Sequence, residues 1–219
     1  MLFNDRTDAG KQLAARLRFL QGQPNVVVLG IPRGGVVVAA EIARALNAPL
    51  DVFLAHKLGA PFNPELAIGA ITSTGEVLLD DLLIAELRLS HKDIEREIEH
   101  QRQEIARRVA VFRKNRPPLD VQNKTVVIVD DGVATGSTML AALRALRQAQ
   151  PARLILAIPV GPPDTIQRLE KECDQVVVLA MPEPFWAVGR FYTHFGQTSD
   201  EEVIALLAEQ ASSTRRHPA

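Results

Sequence analysis

Runs of apolar, β-branched residues alternate along the chain with stretches whose apolar residues recur at helical spacing. The apolar runs predict buried strands at 26–29, 50–54, 125–129, 154–158 and 176–179. The helical spacing predicts helices over 36–46, 139–148, about 164–172 and 200–211. Strands that alternate with helices need crossover connections, so the pattern predicts an α/β fold with a parallel sheet flanked by helices. Ligands of such sheets bind beyond the carboxyl ends of the strands.

Residues at about 59–120 interrupt this alternation and form a predicted insertion. Two apolar runs, 65–71 and 77–79, flank turn-forming residues and predict a β-hairpin. Ser90 then begins a predicted long helix with one apolar stripe, which ends before Pro117. Its opposite face is rich in Arg and Glu, which is typical of a solvated cover. A dimer contact through the stripe, or an arginine that reaches an active site, remains an alternative.

Length and composition indicate one domain. With 219 residues, 47% of them hydrophobic, the chain can bury a full core, and we expect a domain over 1–211 and a frayed tail, 212–219. A formal net charge of −1 with interspersed signs gives no pattern for nucleic-acid binding. No apolar run approaches the roughly 20 residues of a membrane span. The first residues lack a signal-peptide pattern, and Cys173 is the only cysteine. These features predict a cytoplasmic protein.

The segment 126–138 carries the main candidate chemistry. A β-branched strand is followed by Asp130 and Asp131 and by a turn of small residues that opens a helix. The first N–H groups of a helix have no intrahelical partner, so such a turn can bind a phosphate through the main chain. Gly136 allows close approach of the backbone. Further hydrogen-bond donors are the hydroxyl groups of Thr135, Ser137 and Thr138.

Two common phosphate motifs are excluded. A Walker A loop needs Gly, four residues and then Gly-Lys, whereas Gly132 and Gly136 are separated by three residues and no Lys follows. The GxGxxG fingerprint is absent as well. Acids before a phosphate site would repel a bare anion, so Asp130 and Asp131 need a separate role, such as hydrogen bonding to sugar hydroxyls or holding a divalent cation. A sugar phosphate meets both requirements.

The same segment resembles the 5-phosphoribosyl-1-pyrophosphate (PRPP) motif of type I phosphoribosyltransferases, in which hydrophobic residues precede two acids and a Thr-Gly-x-Thr turn. The resemblance implies that Asp130 and Asp131 bind the ribose hydroxyls. The residues that it implies for the 5′-phosphate are Ala134, Thr135, Gly136, Ser137 and Thr138. It also implies the family fold, with a hood over the site to which residues 3–6 and a helix over 9–20 would contribute.

A second turn, at 29–35, also follows a strand and opens a helix, and two such turns fit a ligand with an anionic group at each end. In the family, the equivalent loop binds pyrophosphate. The resemblance therefore implies that Arg33, Gly34 and Gly35 bind pyrophosphate, and that a cis peptide bond, if present, precedes Gly34. Lys57, interpreted as the end of the second strand, is a further expected pyrophosphate ligand. With Asp130 and Asp131, Arg33 forms the expected catalytic set.

Aromatic residues cluster in the segment 181–195, which holds the only Trp, the only Tyr and three Phe. Such rings can stack on a base, at roughly 1–3 kcal/mol per base. Pro-x-x-Phe followed by Val-Gly and a Tyr resembles the base loop of hypoxanthine-guanine phosphoribosyltransferases, which implies acceptor binding by Phe185, Trp186 and Val188. A small satellite core is the alternative. The resemblance covers most of 24–195 but does not extend to a catalytic loop within 59–120.

Together, these implications predict an enzyme, a phosphoribosyltransferase. It transfers the 5-phosphoribosyl group from PRPP to a nitrogen of a nucleobase-like acceptor and releases pyrophosphate. The cofactor is Mg²⁺, held mainly by substrate and water, and Asp131 or Asp130 would accept the proton. We expect a homodimer and no nucleic-acid or membrane partner. A non-catalytic PRPP-binding regulatory protein is the alternative. A PRPP synthetase would need a second domain, and an amidotransferase would need a cysteine near the amino terminus.

Overall fold

A five-stranded parallel sheet forms the centre of the computed structural model, which describes residues 2–114 and 116–216. Numbered in chain order, its strands lie side by side as β2 (Leu50–Val52), β1 (Val26–Gly30), β6 (Thr125–Val129), β7 (Arg153–Val160) and β8 (Gln175–Ala180). Every neighbouring pair is parallel. Both faces of such a sheet are buried, which is why its strands are continuous apolar runs. The predicted fold class and strands of the main sheet are confirmed.

Helices cover both faces of this sheet. One face is covered by α1 (Arg6–Arg16), α2 (Gly34–Leu46) and α7 (Asp200–Arg216), and the other by α5 (Ser137–Gln148) and α6 (Pro163–Glu170). Alternate strand residues supply the two cores: Val28 packs with α1 and α2, whereas its neighbour Val27 packs with α5. Among the described residues, no helix is both long enough and apolar enough to cross a membrane.

A second, antiparallel sheet lies within the insertion. In spatial order its strands are β3 (Ala55–Ala60), β4 (Asn63–Thr72) and β5 (Val77–Leu79), and the helices α3 (Asp81–Glu86) and α4 (His91–Arg113) follow. The β4–β5 hairpin and the long helix α4 confirm the sequence prediction. Ser90 caps α4 as expected, because its Oγ accepts a hydrogen bond from the Asp93 N–H at 3.2 Å.

The sequence pattern does not predict β3, and this strand changes the position of Lys57. The second strand of the main sheet ends at Val52, because the chain then turns toward the hairpin. There the Ser73 N–H donates to the Leu54 carbonyl at 2.8 Å. Lys57 lies within β3, opposite Ala70 of β4. The expectation that Lys57 ends a strand of the main sheet is therefore wrong.

The two terminal helices differ from their predicted bounds. The first begins at Arg6, because the Asp5 carboxylate caps it by accepting a hydrogen bond from the Asp8 N–H at 2.8 Å. A 3₁₀ turn, Arg18–Leu20, replaces its predicted last turn. The last helix continues to Arg216, so the predicted tail, 212–219, begins inside it, and residues 217–219 lie outside the described part of the chain. The predicted domain extent, 1–211, stays a prediction.

Segments near both ends of the chain meet at the carboxyl edge of the main sheet. Phe3 forms a parallel bridge with Tyr192, and the centroids of their rings are 5.2 Å apart. Both rings are buried, and with Ala9 and Val160 they form a small separate core. Since Val160 ends β7, this core lies beside the strand ends at which ligands of parallel sheets bind. The hood expected from the sequence thus combines the amino-terminal segment with the aromatic segment.

Candidate active site

The two turns singled out from the sequence lie side by side. They follow β1 and β6, neighbouring strands whose last residues, Gly30 and Val129, are paired in register. The first turn leads into α2 and the second into α5. They are in close contact, because a Cβ added to Gly35 would lie only 2.8 Å from the Cα of Asp130. The structure therefore brings two helix N-termini and one acidic pair together in a single site.

Asp130 and Asp131 form a partly buried acidic pair directly after β6. Asp130 Oδ1 accepts a hydrogen bond from the Asp131 backbone N–H at 2.8 Å. Burial raises the pKa of Asp130 well above its ordinary value of 3.8, and the charge of Asp131 raises it further. Burial also raises the pKa of Asp131, against the opposing effect of the Arg6 guanidinium. Ionised carboxylates in such a site can accept hydrogen bonds from hydroxyl groups.

Two side chains from the hood hold Asp131 in place. Arg6 Nε donates to Asp131 Oδ2 at 2.6 Å, and both side chains are largely buried. Tyr192 Oη donates to the Asp131 carbonyl, also at 2.6 Å. Burial raises the pKa of Tyr192, which keeps the phenol protonated as a donor. No local sequence signal links Arg6 or Tyr192 to the acidic pair, because each lies far from Asp131 in the chain, 125 and 61 positions away.

The turn before α5 is built to leave backbone N–H groups available. Gly136 has φ +72° and caps α5 without a side-chain hydrogen bond. Helix α6 holds the carbonyls of the turn: Thr165 Oγ1 donates to Ala134 at 2.9 Å, and Arg168 Nη2 donates to Thr135. The first N–H groups of α5 thus remain suited to an anion. Exposed hydroxyls surround them, on Thr135, Ser137 and Thr138. Thr165 and Arg168 were not expected at the site.

The turn before α2 differs in one detail from the expectation. Its cis peptide bond joins Pro32 to Arg33 and so does not precede Gly34, where α2 already begins. The Arg33 side chain is 44% exposed, and its Nη1 lies 3.7 Å from Asp200 Oδ1. Exposed pairs of this kind contribute about 0–1 kcal/mol. The guanidinium can therefore turn toward an anion bound at the start of α2.

A cleft of about 970 Å³ opens beside the turn before α5. Ala134 and Thr135 line one part of it, and Phe185 and Trp186 line another. The Trp186 side chain is 72% exposed. Phe185 is half-buried against Phe191, with ring centroids 5.1 Å apart. One ring is thus free to contact a ligand in the cleft, whereas the other also has a packing role.

The remaining residues of the aromatic segment support the acidic pair from the side. Val188 packs over Gly132, where an added Cβ would lie 2.5 Å from Val188 Cγ1. Gly132 also has φ +153°. A side chain at this position would therefore both clash with Val188 and strain the backbone. Tyr192 and Phe3 are buried together in the small core. The small satellite core, which is the alternative role for the aromatic segment, is therefore present. Val188 packs at the edge of this core and does not line the cleft.

The donor groups at the site fit a cation that is held mainly by substrate. Within residues 2–114 and 116–216, no three His, Cys, Asp or Glu side chains converge on one point. Asp131 is already paired with Arg6. Mg²⁺ prefers oxygen ligands and retains several waters.

Cys173 takes no part in this chemistry. Its Sγ lies 3.4 Å from the Gln175 carbonyl and 3.6 Å from the Leu169 carbonyl. Burial raises the pKa of the Cys173 thiol to about 11. A thiol with this pKa is protonated at neutral pH and is a poor nucleophile.

Comparison with known proteins agrees with this architecture. The family described as phosphoribosyl transferase domain matches residues 4–192, and the chain belongs to that family. The family resemblance noted at residues 126–138 is thereby confirmed. The crystal structure of TT1426 from Thermus thermophilus is 44% identical in sequence, with a TM-score of 0.84, and the match covers 96% of this chain and 99% of that one.

Two relatives from Mycobacterium tuberculosis, strains CDC 1551 and H37Rv, bear provisional phosphoribosyl transferase names. Each is 47% identical over 206 residues, which make up 94% of this chain and 46% of the relative. The chain therefore spans about half the length of these two relatives.

Proposed function

We propose that the protein transfers the 5-phosphoribosyl group from PRPP to a nitrogen of a nucleobase-like acceptor and releases pyrophosphate. One observation carries the proposal: two helix N-termini, at Gly34 and Ser137, flank the acidic pair at neighbouring strand ends. PRPP has a matching order of groups, with phosphate at one end, pyrophosphate at the other and ribose hydroxyls between. Membership of the phosphoribosyl transferase family supports the same assignment.

In this proposal, each part of the site binds one part of PRPP. The N–H groups and hydroxyls of the turn before α5, Ala134, Thr135, Gly136, Ser137 and Thr138, bind the 5′-phosphate. Asp130 and Asp131 accept hydrogen bonds from the ribose hydroxyls. Arg33, with the backbone of Gly34 and Gly35, binds the pyrophosphate. Lys57 also remains a proposed pyrophosphate ligand, although it lies in β3 rather than in the main sheet.

The reaction breaks the bond between C1′ and the pyrophosphate oxygen, and the oxygen keeps the bonding electrons. A new bond forms between C1′ and the acceptor nitrogen, which loses its proton. Negative charge thus grows on the leaving group while positive charge develops on the ribosyl ring. Arg33 and the N–H groups at the start of α2 stabilise the growing negative charge. Mg²⁺ bound by pyrophosphate would supply further charge neutralisation.

Asp130 and Asp131 are the proposed proton acceptors. A carboxyl group is a better base when its pKa is raised, and burial raises the pKa of both. The acceptor would enter through the cleft lined by Phe185 and Trp186, with Val188 at the edge of the aromatic segment.

The protein would act in the cytoplasm as a homodimer.

A binding experiment tests the two-ended site. Titration calorimetry with PRPP in the presence of Mg²⁺ should show binding, and ribose 5-phosphate and pyrophosphate should each compete with PRPP, because each occupies one end. If pyrophosphate competes but ribose 5-phosphate does not, the assignment of the turn before α5 to the 5′-phosphate is wrong. If PRPP does not bind, the proposed function is wrong.

Trp186→Ala should reduce use of the acceptor far more than PRPP affinity, because the exposed ring can contact a base but lies outside the two turns. Loss of one stacking contact corresponds to about 1–3 kcal/mol, or about 5-fold to 150-fold in the acceptor KM. Phe185→Ala should reduce acceptor use as well, together with thermal stability, since this ring packs on Phe191.

Phe19→Ala is a suitable control for these two variants. Phe19 is an exposed ring that lies under the guanidinium of Arg153, the first residue of β7. It is therefore near the amino edge of the main sheet, away from the site. Equal losses of acceptor use and PRPP affinity in Trp186→Ala would argue against an acceptor pocket at this ring.

A further inference from the structure

Arg6 contacts three residues of the candidate site that are distant from it in sequence. Its Nε donates to Asp131 Oδ2 at 2.6 Å, and its Nη1 donates to the Gly196 carbonyl at 2.7 Å. Its guanidinium also lies over the ring of Phe195, 3.9 Å from the centroid. Only 13% of the Arg6 side chain and 16% of the Asp131 side chain are exposed. The guanidinium is therefore fixed on several sides and is not a mobile surface charge.

The pair formed by Arg6 and Asp131 also packs against the turn before α2. A Cβ added to Gly34 would overlap Asp131 Oδ2 and would lie 2.5 Å from Arg6 Nε. Gly34 is thus a position at which the backbone itself contacts the ion pair. A shift of either charged side chain would change the shape of the turn to which pyrophosphate is assigned.

We propose that Arg6 is a positioning residue for PRPP binding. Arg6 orients Asp131 toward the ribose hydroxyls and holds this carboxylate in contact with Gly34. The inference rests on the proposed function, because it assumes that PRPP occupies the two turns. Arg6 acts through Asp131 and is not itself assigned to the reacting atoms. Its place at the first position of α1, after the Asp5 cap, makes the hood part of the ribose site.

Charge supports this role. The ionisable groups with the largest effects on the pKa of Asp131 are Arg6 and the adjacent Asp130, and the hydroxyl of Tyr192 donates to the Asp131 carbonyl. Of these groups, Arg6 alone carries a positive charge, and it lowers the pKa of both carboxyl groups against the effect of burial. Without Arg6, the two neighbouring carboxylates would lose the cation that is paired with Asp131, which favours protonation of one of them.

A double-mutant cycle on PRPP affinity tests the proposal. Arg6→Ala should weaken PRPP binding by about tenfold in the wild-type background and by much less in the Asp131→Asn background, because its partner is then already altered. Arg6→Lys should bind PRPP more tightly than Arg6→Gln, which can keep an N–H donor near the position of Arg6 Nε but loses the positive charge. Arg16→Ala is the control, an exposed arginine at the far end of the same helix, and should bind PRPP like wild type.

The pH dependence supplies a readout that a purely structural role would not change. In Arg6→Ala the pKa of the acidic pair rises, so PRPP affinity should begin to fall at a higher pH than in wild type as the pH is lowered. Arg6→Lys should restore the wild-type profile. If Arg6→Ala is poorly folded, the comparison of Arg6→Lys with Arg6→Gln still decides the question.

Four results would overturn the proposal. Equal losses from Arg6→Ala in both backgrounds would show that Arg6 does not act through Asp131. Tighter PRPP binding by Arg6→Ala would show that Arg6 obstructs the site. Failure of wild-type protein to bind PRPP would remove the proposed function and this inference together, whereas wild-type binding with an unaffected Arg6→Ala variant would remove only the inference.

Discussion

Replacement of Asp130 and Asp131 by asparagine is expected to weaken PRPP binding by about 10-fold to 150-fold for each carboxylate. Hydrogen bonds to a charged group contribute about 1.5–3 kcal/mol, and both acceptors are partly buried, so bound PRPP would replace part of their contact with water. Asparagine has nearly the same shape, so the Asp131 N–H can still donate to the side chain at position 130. Calorimetric titration of PRPP in the presence of Mg²⁺ measures the loss.

The same substitution at Asp130 should increase stability. Burial raises the folded-state pKa of Asp130, so between the ordinary value of 3.8 and the raised value the folded state holds a proton that the unfolded chain has released. Stability therefore falls as the pH rises through this window. Asp130→Asn removes that penalty, and its free energy of unfolding should exceed the wild-type value at pH 7 but not at pH 3. Denaturant unfolding at both pH values measures this difference.

Asp120→Asn provides the control for both measurements, because this carboxylate is exposed and makes a long ion pair with Lys124, at 3.9 Å. It also accepts a hydrogen bond from the Gln122 N–H at 3.0 Å, which the asparagine carbonyl can accept as well. It should leave PRPP affinity and stability almost unchanged. A Kd for PRPP that does not change in the Asp130→Asn, Asp131→Asn protein would show that the acidic pair does not bind ribose.

Arg33→Ala is expected to reduce kcat by about 100-fold to 1000-fold, the usual effect of removing one group that stabilises charge in a transition state. PRPP affinity should fall less, because the backbone N–H groups at Gly34 and Gly35 remain and because the charge on pyrophosphate grows only as the bond to C1′ breaks. The exposed position of Arg33 and its weak pairing with Asp200 predict little change in stability. Steady-state kinetics and calorimetry separate the two effects.

Arg44→Ala is a matched control for Arg33→Ala. Arg33 directly precedes α2, and Arg44 lies within it. Their side chains have nearly equal exposure, 44% for Arg33 and 45% for Arg44. Arg44 lies near the carboxyl end of the helix, paired with Glu41 and Glu209, far along α2 from the proposed pyrophosphate. If Arg33→Ala lowers kcat and PRPP affinity by the same factor, Arg33 binds the ground state and has no special role in catalysis.

The main sheet could be predicted because its sequence signal is local. A parallel strand buried on both faces is a short apolar run, as at Thr125–Val129, and two such runs followed by glycine-containing turns already indicate where a ligand binds. In contrast, β3 has a weak signal. Its sequence, Ala-His-Lys-Leu-Gly-Ala, lacks β-branched residues, and its register with β4 shifts at Leu58 and Gly59. The sequence pattern therefore does not predict that Lys57 lies in the second sheet.

The side-chain contacts that hold the acidic pair in place could not be predicted, for a different reason. Arg6 and Tyr192 reach Asp131 only after the chain has folded, and the contacts depend on how the hood packs. Likewise, Arg168 contacts the turn before α5 because α6 follows the neighbouring strand β7. Periodicity reports on helices and strands but not on such pairings between side chains distant in sequence.

We propose that the two turns and the acidic pair form the site of phosphoribosyl transfer. Incubation of the protein with PRPP, Mg²⁺ and a panel of purine and pyrimidine bases, with measurement of released pyrophosphate, tests this proposal. We predict release that requires both PRPP and one acceptor and that falls in the Asp130→Asn, Asp131→Asn and Arg33→Ala variants. PRPP binding without release for any base would favour a regulatory PRPP-binding protein instead, and a protein that does not bind PRPP would contradict the account as a whole.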